Sequence, residues 1–333
     1  MPAPRLTDRA PVVPPDSLVA AMAPPPRFAG ARFETYRPDP AQPSQAVALE
    51  VLQQFAAGLA PAPRRVFGRR REPSGRPGVY LDGGFGVGKT HLLTSLWHAA
   101  PAPKAYGTFV ELTHLVGALG FGATVAALAD HRLLAIDEFE LDDPGDTVLV
   151  STLLARLVES GVRVAATSNT LPGSLGEGRF ATDDFLREIA SLSGHFTSVR
   201  VDGEDYRHRG LAPAPPPAGD AAVEARTGQV AGASCDGFDD VLAHLSQLHP
   251  SRYGALVDGV SLVGLTGVRP VDDQAAALRL VVLVDRLYDR DVPVLASGVP
   301  LDEVFPADLL AGGYRKKYLR AVSRLTALAS QGG

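Results

Sequence analysis

The stretch GGFGVGKT, residues 83–90, determines how the rest of the chain is interpreted. It fits the pattern G-x-x-x-x-G-K-[ST], in which glycines let the backbone wrap closely around phosphate oxygens and point N–H groups at them. The last two positions are Lys89 and Thr90. We expect Lys89 to reach the β- and γ-phosphates of a nucleotide and the Thr90 hydroxyl to complete a Mg²⁺ shell. The stretch therefore predicts a phosphate-binding loop for ATP with Mg²⁺.

The flanking residues supply the structural context that this loop needs. A β run, GVYLD at 78–82, ends just before the loop, and a helical pattern begins at Gly88. The positive end of that helix would favour bound phosphate. The residues expected to contact the nucleotide are Gly83, Gly84, Phe85, Gly86, Val87, Gly88, Lys89, Thr90 and His91.

A pair of acidic residues follows a second apolar run. HRLLAIDE at 131–138 has the pattern of a buried strand and ends in Asp137 and Glu138. Phosphoryl transfer needs a metal anchor and a positioned nucleophile. We expect Asp137 to hold Mg²⁺ through its water shell and Glu138 to act as the general base on the attacking water. The alternative is that both acids simply end a strand.

A polar residue also ends the next apolar run. VRVAATSN at 162–169 finishes at Asn169, whose amide is expected to orient the water and sense the γ-phosphate. An ordinary turn asparagine is the alternative. Ligands of parallel α/β sheets bind outside the carboxyl ends of the strands, which is where these side chains would meet.

Short β runs and helical stretches alternate from Gly78 onward. This alternation predicts an α/β fold with a parallel sheet covered by helices on both faces. Other β runs are TFVEL (108–112), FTSVRVD (196–202), VSLVGL (260–265) and VPVLAS (292–297). Helices are expected over 144–160, 182–192, 238–248, 273–289 and 315–329.

Shifts in composition divide the chain into five predicted segments. They are a disordered or extended tail (1–35), an N-terminal segment and connector (36–77), a P-loop core (78–210), a Pro/Ala/Gly-rich insert or linker (211–237), and a C-terminal α/β or lid-like region (238–333).

Overall charge argues against a general attraction to nucleic acid. The formal net charge of the 333 residues is -5, which gives no such attraction and none to anionic membranes. The basic run RRVFGRRREPSGRP at 64–77 is the best local candidate for nucleic acid, with a solvated loop as the alternative. The chain thus carries no strong nucleic-acid signal.

The same sequence predicts a cytoplasmic protein with no integral membrane segment. No run approaches the ~18–20 apolar residues of a membrane span. The single cysteine, Cys235, cannot form an internal disulfide, which fits a reducing compartment.

Several stretches together resemble the ZapE cell-division ATPases, bacterial relatives of the mitochondrial AFG-type AAA+ proteins. The matching stretches are YRPDPAQ (36–42), GGFGVGKT (83–90), LLAIDEFELDDPGD (133–146), VAATSNTLPGSL (164–175), DYR (205–207), LVDRLYDRDVPVLAS (283–297) and GGYRKKYLRAVSRL (312–325). The resemblance implies an AAA+-type P-loop NTPase. It also implies self-association into a ring, commonly a hexamer, with ATP between subunits.

The resemblance implies an arginine finger supplied by a neighbouring subunit, but the sequence departs from the family pattern here. Thr182 and Asp184 stand where arginines are expected. Arg179 is the favoured substitute and Arg187 the other, and surface salt bridges are an equal alternative for both. In the C-terminal part, Arg320 matches a family position that could act as a sensor 2 residue. A helix-surface arginine is the alternative there.

The resemblance further implies what the ATPase does. The leading hypothesis is a Mg²⁺-dependent ATP hydrolase that couples phosphoanhydride hydrolysis to remodelling of a cell-division protein such as FtsZ, with recruitment to the division site. The alternative is an AAA+ helicase loader or DNA-handling ATPase, which shares the same motifs. A third hypothesis is a scaffold that binds nucleotide without turnover.

Overall fold

The chain forms two compact units in a computed structural model. The model describes residues 4–60, 76–84, 86–141, 144–171, 175, 190–191, 193–203 and 214–332. One unit, the P-loop unit, consists of residues 15–24 and 28–206. The other, the C-terminal unit, consists of residues 1–14, 25–27 and 207–333.

A five-stranded parallel sheet with strand order β2-β3-β4-β1-β5 forms the centre of the P-loop unit. Its strands are β1 (Gly78–Gly83), β2 (Lys104–Thr108), β3 (Leu133–Asp137), β4 (Arg163–Ser168) and β5 (Phe196–Val201). Its helices are α1 (Pro15–Ala20), α2 (Pro43–Ala57), α3 (Lys89–Ala99), α4 (Phe109–Leu119), α5 (Phe121–Leu128) and α6 (Pro144–Glu159).

Helices cover both faces of this sheet, as predicted. Along β1, Tyr80 belongs to one buried cluster, and its neighbours Val79 and Leu81 belong to another. The first cluster includes residues of α4 and α6, and the second includes residues of α2 and α3. A strand buried on both faces has a continuous apolar sequence, as the runs before the loop and before Asp137 do.

The second strand lies upstream of its predicted position. The β run predicted at 108–112 is wrong, because β2 ends at Thr108 and a helix starts at Phe109. Thr108 and Glu111 form a capping box: Thr108 Oγ1 accepts from Glu111 N at 3.2 Å, and Glu111 Oε2 accepts from Thr108 N at 2.6 Å. Such a box stabilises a helix start, which ends the strand at this point.

The N-terminal residues are ordered, so the predicted tail over 1–35 is wrong for the part that the structure describes. Leu6 is 1% exposed and Met22 is 9% exposed. The carbonyl of Met22 accepts from Tyr106 N at 2.9 Å, beside the edge strand β2. The Pro/Ala-rich composition of this region concealed isolated apolar residues that pack into the cores.

The C-terminal unit contains a three-stranded parallel sheet with order β6-β7-β8. Its strands are β6 (Ala233–Gly237), β7 (Leu262–Val268) and β8 (Val294–Gly298). Its helices are α7 (Asp220–Gln229), α8 (Phe238–Gln247), α9 (Tyr253–Leu256), α10 (Gln274–Asp289), α11 (Ala307–Ala311) and α12 (Arg315–Gly332). Of the two alternatives for this region, the α/β one is therefore observed.

The linker predicted at 211–237 is wrong over its described part, since α7 and β6 lie there. Val223 and Thr227 of α7 are fully or almost fully buried. A Cβ atom added to Gly264 of β7 would meet Thr227 Cγ2 at 2.6 Å. The close packing of this helix on the sheet depends on Gly264, which lies outside the predicted linker, and on the buried Val223 and Thr227.

None of the described helices is by itself long and apolar enough to cross a membrane. One pair, Phe109–Leu119 with Phe121–Leu128, passes that test jointly by length and composition and is bent by 117° at its break.

Two valines of α6 test how this helix packs. Val150 is fully buried, whereas Val148 is 45% exposed. We expect Val150→Ala to lower the free energy of unfolding by about 2 kcal/mol, because buried methyl groups are lost and a cavity remains. The matched Val148→Ala variant should change it by less than about 0.5 kcal/mol. Urea titrations of both variants measure this, and equal losses would contradict the described packing.

Candidate nucleotide-binding site

The phosphate-binding loop follows β1, which lies between β4 and β5 at the interior of the sheet. Gly88 has φ of 91° and precedes the first turn of α3. A Cβ atom at Gly88 would lie 2.7 Å from Cε2 of Tyr36. The loop sequence needs glycine here for both reasons, since side chains disfavour this φ and have no room.

Tyr36 supports the loop from the N-terminal segment. Its hydroxyl donates to the carbonyl oxygen of Val87 at 3.3 Å, and its ring centroid lies 5.6 Å from that of His91. Burial raises the pKa of Tyr36 to about 12, so the hydroxyl stays protonated near neutral pH and remains a donor. Tyr36 lies in the stretch YRPDPAQ, but no motif in the sequence indicates this role for it.

A buried glutamine connects the N-terminal segment to β5. Gln45 Nε2 donates to the carbonyl of Asp202 at 2.8 Å, and Gln45 Oε1 accepts from Asp39 N at 2.8 Å. Close beside them, a Cβ atom at Gly203 would meet Val87 Cγ1 at 2.8 Å. The segment around residue 39 and the end of β5 therefore lie near the loop.

Lys89 and Asn169 lie in contact in the structure. Lys89 is only 8% exposed. Its Nζ donates to Asn169 Oδ1 at 2.9 Å and to the carbonyl oxygen of Gly83 at 3.0 Å. The ammonium group is thus held by oxygen acceptors on the loop and at the end of β4, the kind of partner that phosphate oxygens also provide.

Thr90 and Asp137 also meet, at an Oγ1 to Oδ1 distance of 3.2 Å. The Asp137 carboxylate is 6% exposed and accepts further hydrogen bonds from Tyr106 Oη at 2.8 Å and from Thr167 Oγ1. Burial, and then the nearby charge of Glu138, raises the pKa of Asp137, while these hydroxyl donors act in the opposite direction.

The residues at this position fit Mg²⁺. That ion takes oxygen ligands and is held in nucleotide sites by one or two carboxylates together with substrate phosphates. A buried carboxylate beside the Thr90 hydroxyl supplies such oxygens. No group of three or more His, Cys, Asp or Glu side chains arranged for a metal occurs in the described part of the chain.

Glu138 occupies a strained backbone position next to this carboxylate. Its φ is 55°, in the left-handed region that non-glycine residues rarely adopt. Its backbone N donates to Thr167 Oγ1 at 3.1 Å, and the next backbone N, of Phe139, donates to the carbonyl of Thr167 at 2.7 Å. Strain of this kind persists where surrounding contacts fix it, which is frequent at functional sites.

Thr167 and Glu140 are site residues that the sequence analysis missed. Thr167 contacts both Asp137 and Glu138 through one hydroxyl group. Glu140 accepts from Asn169 N at 3.2 Å, and its two oxygens also accept from the hydroxyls on either side of Asn169, in Ser168 and Thr170, at 3.1 Å each. The motif IDEFELDD contains Glu140, and its acidic character was the only sequence signal for this role.

Phe85, Arg179 and Arg187 lie outside the described residues, so their assignments stay predictions. His91 Nε2 lies 3.0 Å from Thr35 Oγ1.

Arg320 forms an ion pair inside the C-terminal unit. Its Nη2 donates to Asp285 Oδ2 at 2.9 Å, and Arg324 pairs with the same carboxylate. Burial alone would raise the pKa of Asp285, but the charges of Arg320 and Arg324 lower it overall. The Arg320 side chain is only 12% exposed, so it does not match the alternative of a helix-surface arginine, and a sensor 2 role stays a prediction.

Comparison with known proteins identifies a family that the chain matches. The family model for AFG1-like ATPases matches residues 12–222 and 212–332. The cell division protein ZapE of Escherichia coli is 29% identical over 204 residues, which cover 54% of each chain. An uncharacterized protein of Schizosaccharomyces pombe is 26% identical over 174 residues, which cover 43% of this chain and 38% of the relative. The chain thus spans about half the length of the curated relatives it matches, or less.

Several solved structures have a similar fold over part of the chain. DnaI has a TM-score of 0.43 at 16% identity, covering 57% of this chain and 98% of that one. DnaA bound to AMPPCP and single-stranded DNA has a TM-score of 0.40 at 16% identity, covering 53% of this chain and 51% of that one. At these scores the likeness carries no inference about function.

Two buried aspartates at strand ends should respond oppositely to the same substitution. Asp82 is paired with Arg200 at 2.9 Å, whereas Asp137 has only hydroxyl donors among its hydrogen bonds described above. We expect Asp137→Asn to raise the free energy of unfolding of the nucleotide-free protein by about 1 kcal/mol, because it removes a desolvated charge. Asp82→Asn should lower it, because the ion pair is lost.

Urea unfolding at neutral pH, with a chelator present and nucleotide absent, measures both changes. A loss of stability in Asp137→Asn equal to that in Asp82→Asn would contradict the electrostatic description of the site.

Proposed function

The chain belongs to the AFG1-like ATPase family, and on that premise we propose that it binds ATP with Mg²⁺ at the P-loop and hydrolyses the terminal phosphoanhydride bond. The observation that carries this proposal is the meeting of side chains from three separate strand ends. Lys89 contacts Asn169 at 2.9 Å, and Thr90 contacts Asp137 at 3.2 Å. Neither pair is close in sequence, so the fold brings them together.

In the proposed mechanism, the loop amides and Lys89 bind the β- and γ-phosphates. Thr90 and Asp137 would hold Mg²⁺, which when bound neutralises charge on the phosphate oxygens. Asn169 orients the attacking water, and its own backbone is held by Glu140. The hydrogen bonds described above hold these side chains near one another, and phosphoryl transfer depends mainly on such positioning.

Glu138 is proposed as the group that accepts the proton of the attacking water. Its carboxylate is half-buried, beside the Asp137 anchor. The Thr167 hydroxyl and carbonyl fix the peptide at Glu138 and the one that follows it. A general base must be held within hydrogen-bond reach of the water, and this fixed backbone provides that support.

We further propose that the chain assembles into an AAA+ ring, with six subunits as the expected number, and that a neighbouring subunit supplies the arginine finger. Arg179 is the favoured residue for that role. An arginine in trans would make hydrolysis depend on assembly, since it stabilises charge in the transition state.

The proposed partner is a cell-division protein such as FtsZ, remodelled at the division site. The name of the Escherichia coli relative, a cell division protein, supports this class of partner. A ligand between subunits can drive remodelling only by its difference in affinity for two subunit arrangements. Measuring ATP turnover with and without polymerised FtsZ tests whether FtsZ is the partner of this chain. Unchanged turnover would argue against FtsZ as that partner.

DNA handling stays the alternative prediction. Its best sequence signal, the arginine run at 64–71, lies outside the described residues. A DNA titration separates the two functions, because tight binding that weakens steeply with salt would favour the DNA-handling one.

Lys89→Ala is expected to weaken ATP binding by at least about 100-fold, since it removes the charge that pairs with the phosphates. Lys104→Ala is the matched control. Its Nζ donates to the backbone carbonyls of His98 and Ala100 instead of to the site. Titration with a fluorescent ATP analogue measures both affinities, and tight binding by Lys89→Ala would refute the phosphate-binding role of the loop.

Glu138→Gln is expected to keep ATP binding and to lower turnover by about 100-fold or more, because the amide cannot accept the proton. The variant should also trap ATP and stabilise the oligomer. Glu159→Gln serves as the control, since Glu159 is an exposed residue that pairs with Arg156. Phosphate release and analytical ultracentrifugation with ATP give the two readouts, and unchanged turnover in Glu138→Gln would remove it as the base.

A further inference from the structure

Residues 4–9 (PRLTDR), called the segment below, lie against the rest of the C-terminal unit, to which they belong. Leu6 is 1% exposed and belongs to the same buried cluster as Phe238, Val241 and Leu245 of α8. The neighbours of Leu6 in the chain are polar. One apolar side chain inserted into a core, with polar residues on both sides, is the way in which short peptides anchor in grooves.

A buried carboxylate receives this segment. The side chain of Asp236, near the end of β6, has no exposed surface. Its oxygens accept from Leu6 N at 2.8 Å, from Thr7 N at 3.1 Å and from Thr7 Oγ1 at 2.8 Å. Arg5 Nε lies 3.5 Å from the same group. The partners described for this buried charge therefore all come from three consecutive residues of the segment.

The segment also covers a sheet edge. β6 is an outer strand of its sheet, paired on one side with β7. On its other side, Cys235 N donates to the carbonyl of Pro4 at 3.2 Å. Outer strands present unpaired backbone groups that recruit extended peptides, and main-chain bonding of this kind accepts many sequences.

The other end of the segment is fixed by Arg9. Its Nη1 donates to the carbonyl oxygens of Leu256 and Asp258 at 2.9 and 3.0 Å. Its own carbonyl lies 2.8 Å from His244 Nε2. Both ends and the middle of the segment thus have specific partners on the C-terminal unit.

We propose that this surface, the segment groove between the outer edge of β6 and α8, is a peptide-binding site for segments of the pattern Arg-Leu-Thr-x-Arg, bound with a single 3-10 turn at Leu6–Asp8. Residues 4–9 occupy it as a resident ligand that can be exchanged. The groove is a site apart from the nucleotide-binding residues, and its function does not depend on ATP hydrolysis.

The contacts define what the groove recognises. The leucine fills an apolar position, and the carboxylate of Asp236 selects a hydroxyl residue after it. The ion pair between Arg5 and Asp240 is exposed on both sides, at 44% and 62%, so salt should screen it. Binding should therefore depend on Leu6, Thr7 and Asp236 more than on ionic strength.

The chain connection explains why the resident segment stays in place. Residues 10–14 link it to α1, and Val12 in that link is 81% exposed. A short flexible link gives a tethered ligand an effective concentration of the order of millimolar. Exchange therefore requires that the tether be cut or that a competing peptide be abundant.

A cleavable link tests the proposal in the full-length chain. A specific protease site is inserted at 11–13, the purified chain is cleaved, and a fluorescent peptide with the sequence of residues 4–12 is titrated by anisotropy. We expect the labelled peptide to replace the resident one, and unlabelled peptide to compete. The uncut chain should bind it at least about tenfold more weakly.

Matched changes on both partners identify the recognition chemistry. Asp236→Asn should weaken peptide binding at least about tenfold, because it removes the charge that accepts three hydrogen bonds. Asp239→Asn should leave binding unchanged, since Asp239 pairs with Arg269. On the peptide, Leu6→Asp and Thr7→Val should weaken binding, and Thr7→Ser should preserve it.

Two results would overturn the proposal. One is a cleaved chain that stays folded, by circular dichroism, yet takes up no labelled peptide. The other is a chain that unfolds on cleavage and release, which would make the segment a permanent part of the core. Equal binding by Asp236→Asn and Asp239→Asn would remove Asp236 as the recognition group.

Discussion

The parallel register of β4 with its two neighbours is the constraint on which the nucleotide site depends. β4 pairs Ser168 with Asp82 of β1 on one side and Ala166 with Ile136 of β3 on the other. The register brings Asn169 to the loop after β1 and brings Thr167 beside the acid that ends β3. A slip of one residue would turn these side chains to the opposite face, so burial of both faces of the sheet fixes the site.

Charge burial sets the character of this site. Asp137 is desolvated next to another acid, and Glu138 holds a left-handed backbone conformation. Both features cost stability in the nucleotide-free protein, and hydroxyl groups compensate only part of the cost. A cation bound with substrate would remove that penalty. The site therefore lowers the stability of the nucleotide-free protein and favours binding of a cation with substrate. Functional sites of proteins commonly carry such a stability cost.

Asp236 and Asp137 show how the donors around a buried carboxylate reveal its partner. Each lies at or near the carboxyl end of a parallel strand and is nearly inaccessible to water. Asp137 accepts only from hydroxyl groups among its described hydrogen bonds, including that of Thr90, the other residue expected to hold Mg²⁺. Asp236 accepts from the main-chain N–H groups of Leu6 and Thr7 as well as from the Thr7 hydroxyl, so a peptide segment supplies its partners.

The sequence by itself determined the phosphate-binding loop, the acids at 137–138 and the parallel α/β fold, because each depends on residues that are close along the chain. Glycine spacing, apolar runs and strand-end polar residues are local signals. Only the tertiary structure revealed Thr167, Glu140 and Asp236 as contact residues, and only it showed order in the Pro/Ala-rich tail and the 214–237 region. Those features depend on contacts with residues that lie tens to hundreds of positions away in the chain. The composition of a segment does not indicate which distant residues it contacts. Isolated residues such as Leu6 become informative only when the groove that buries them has formed.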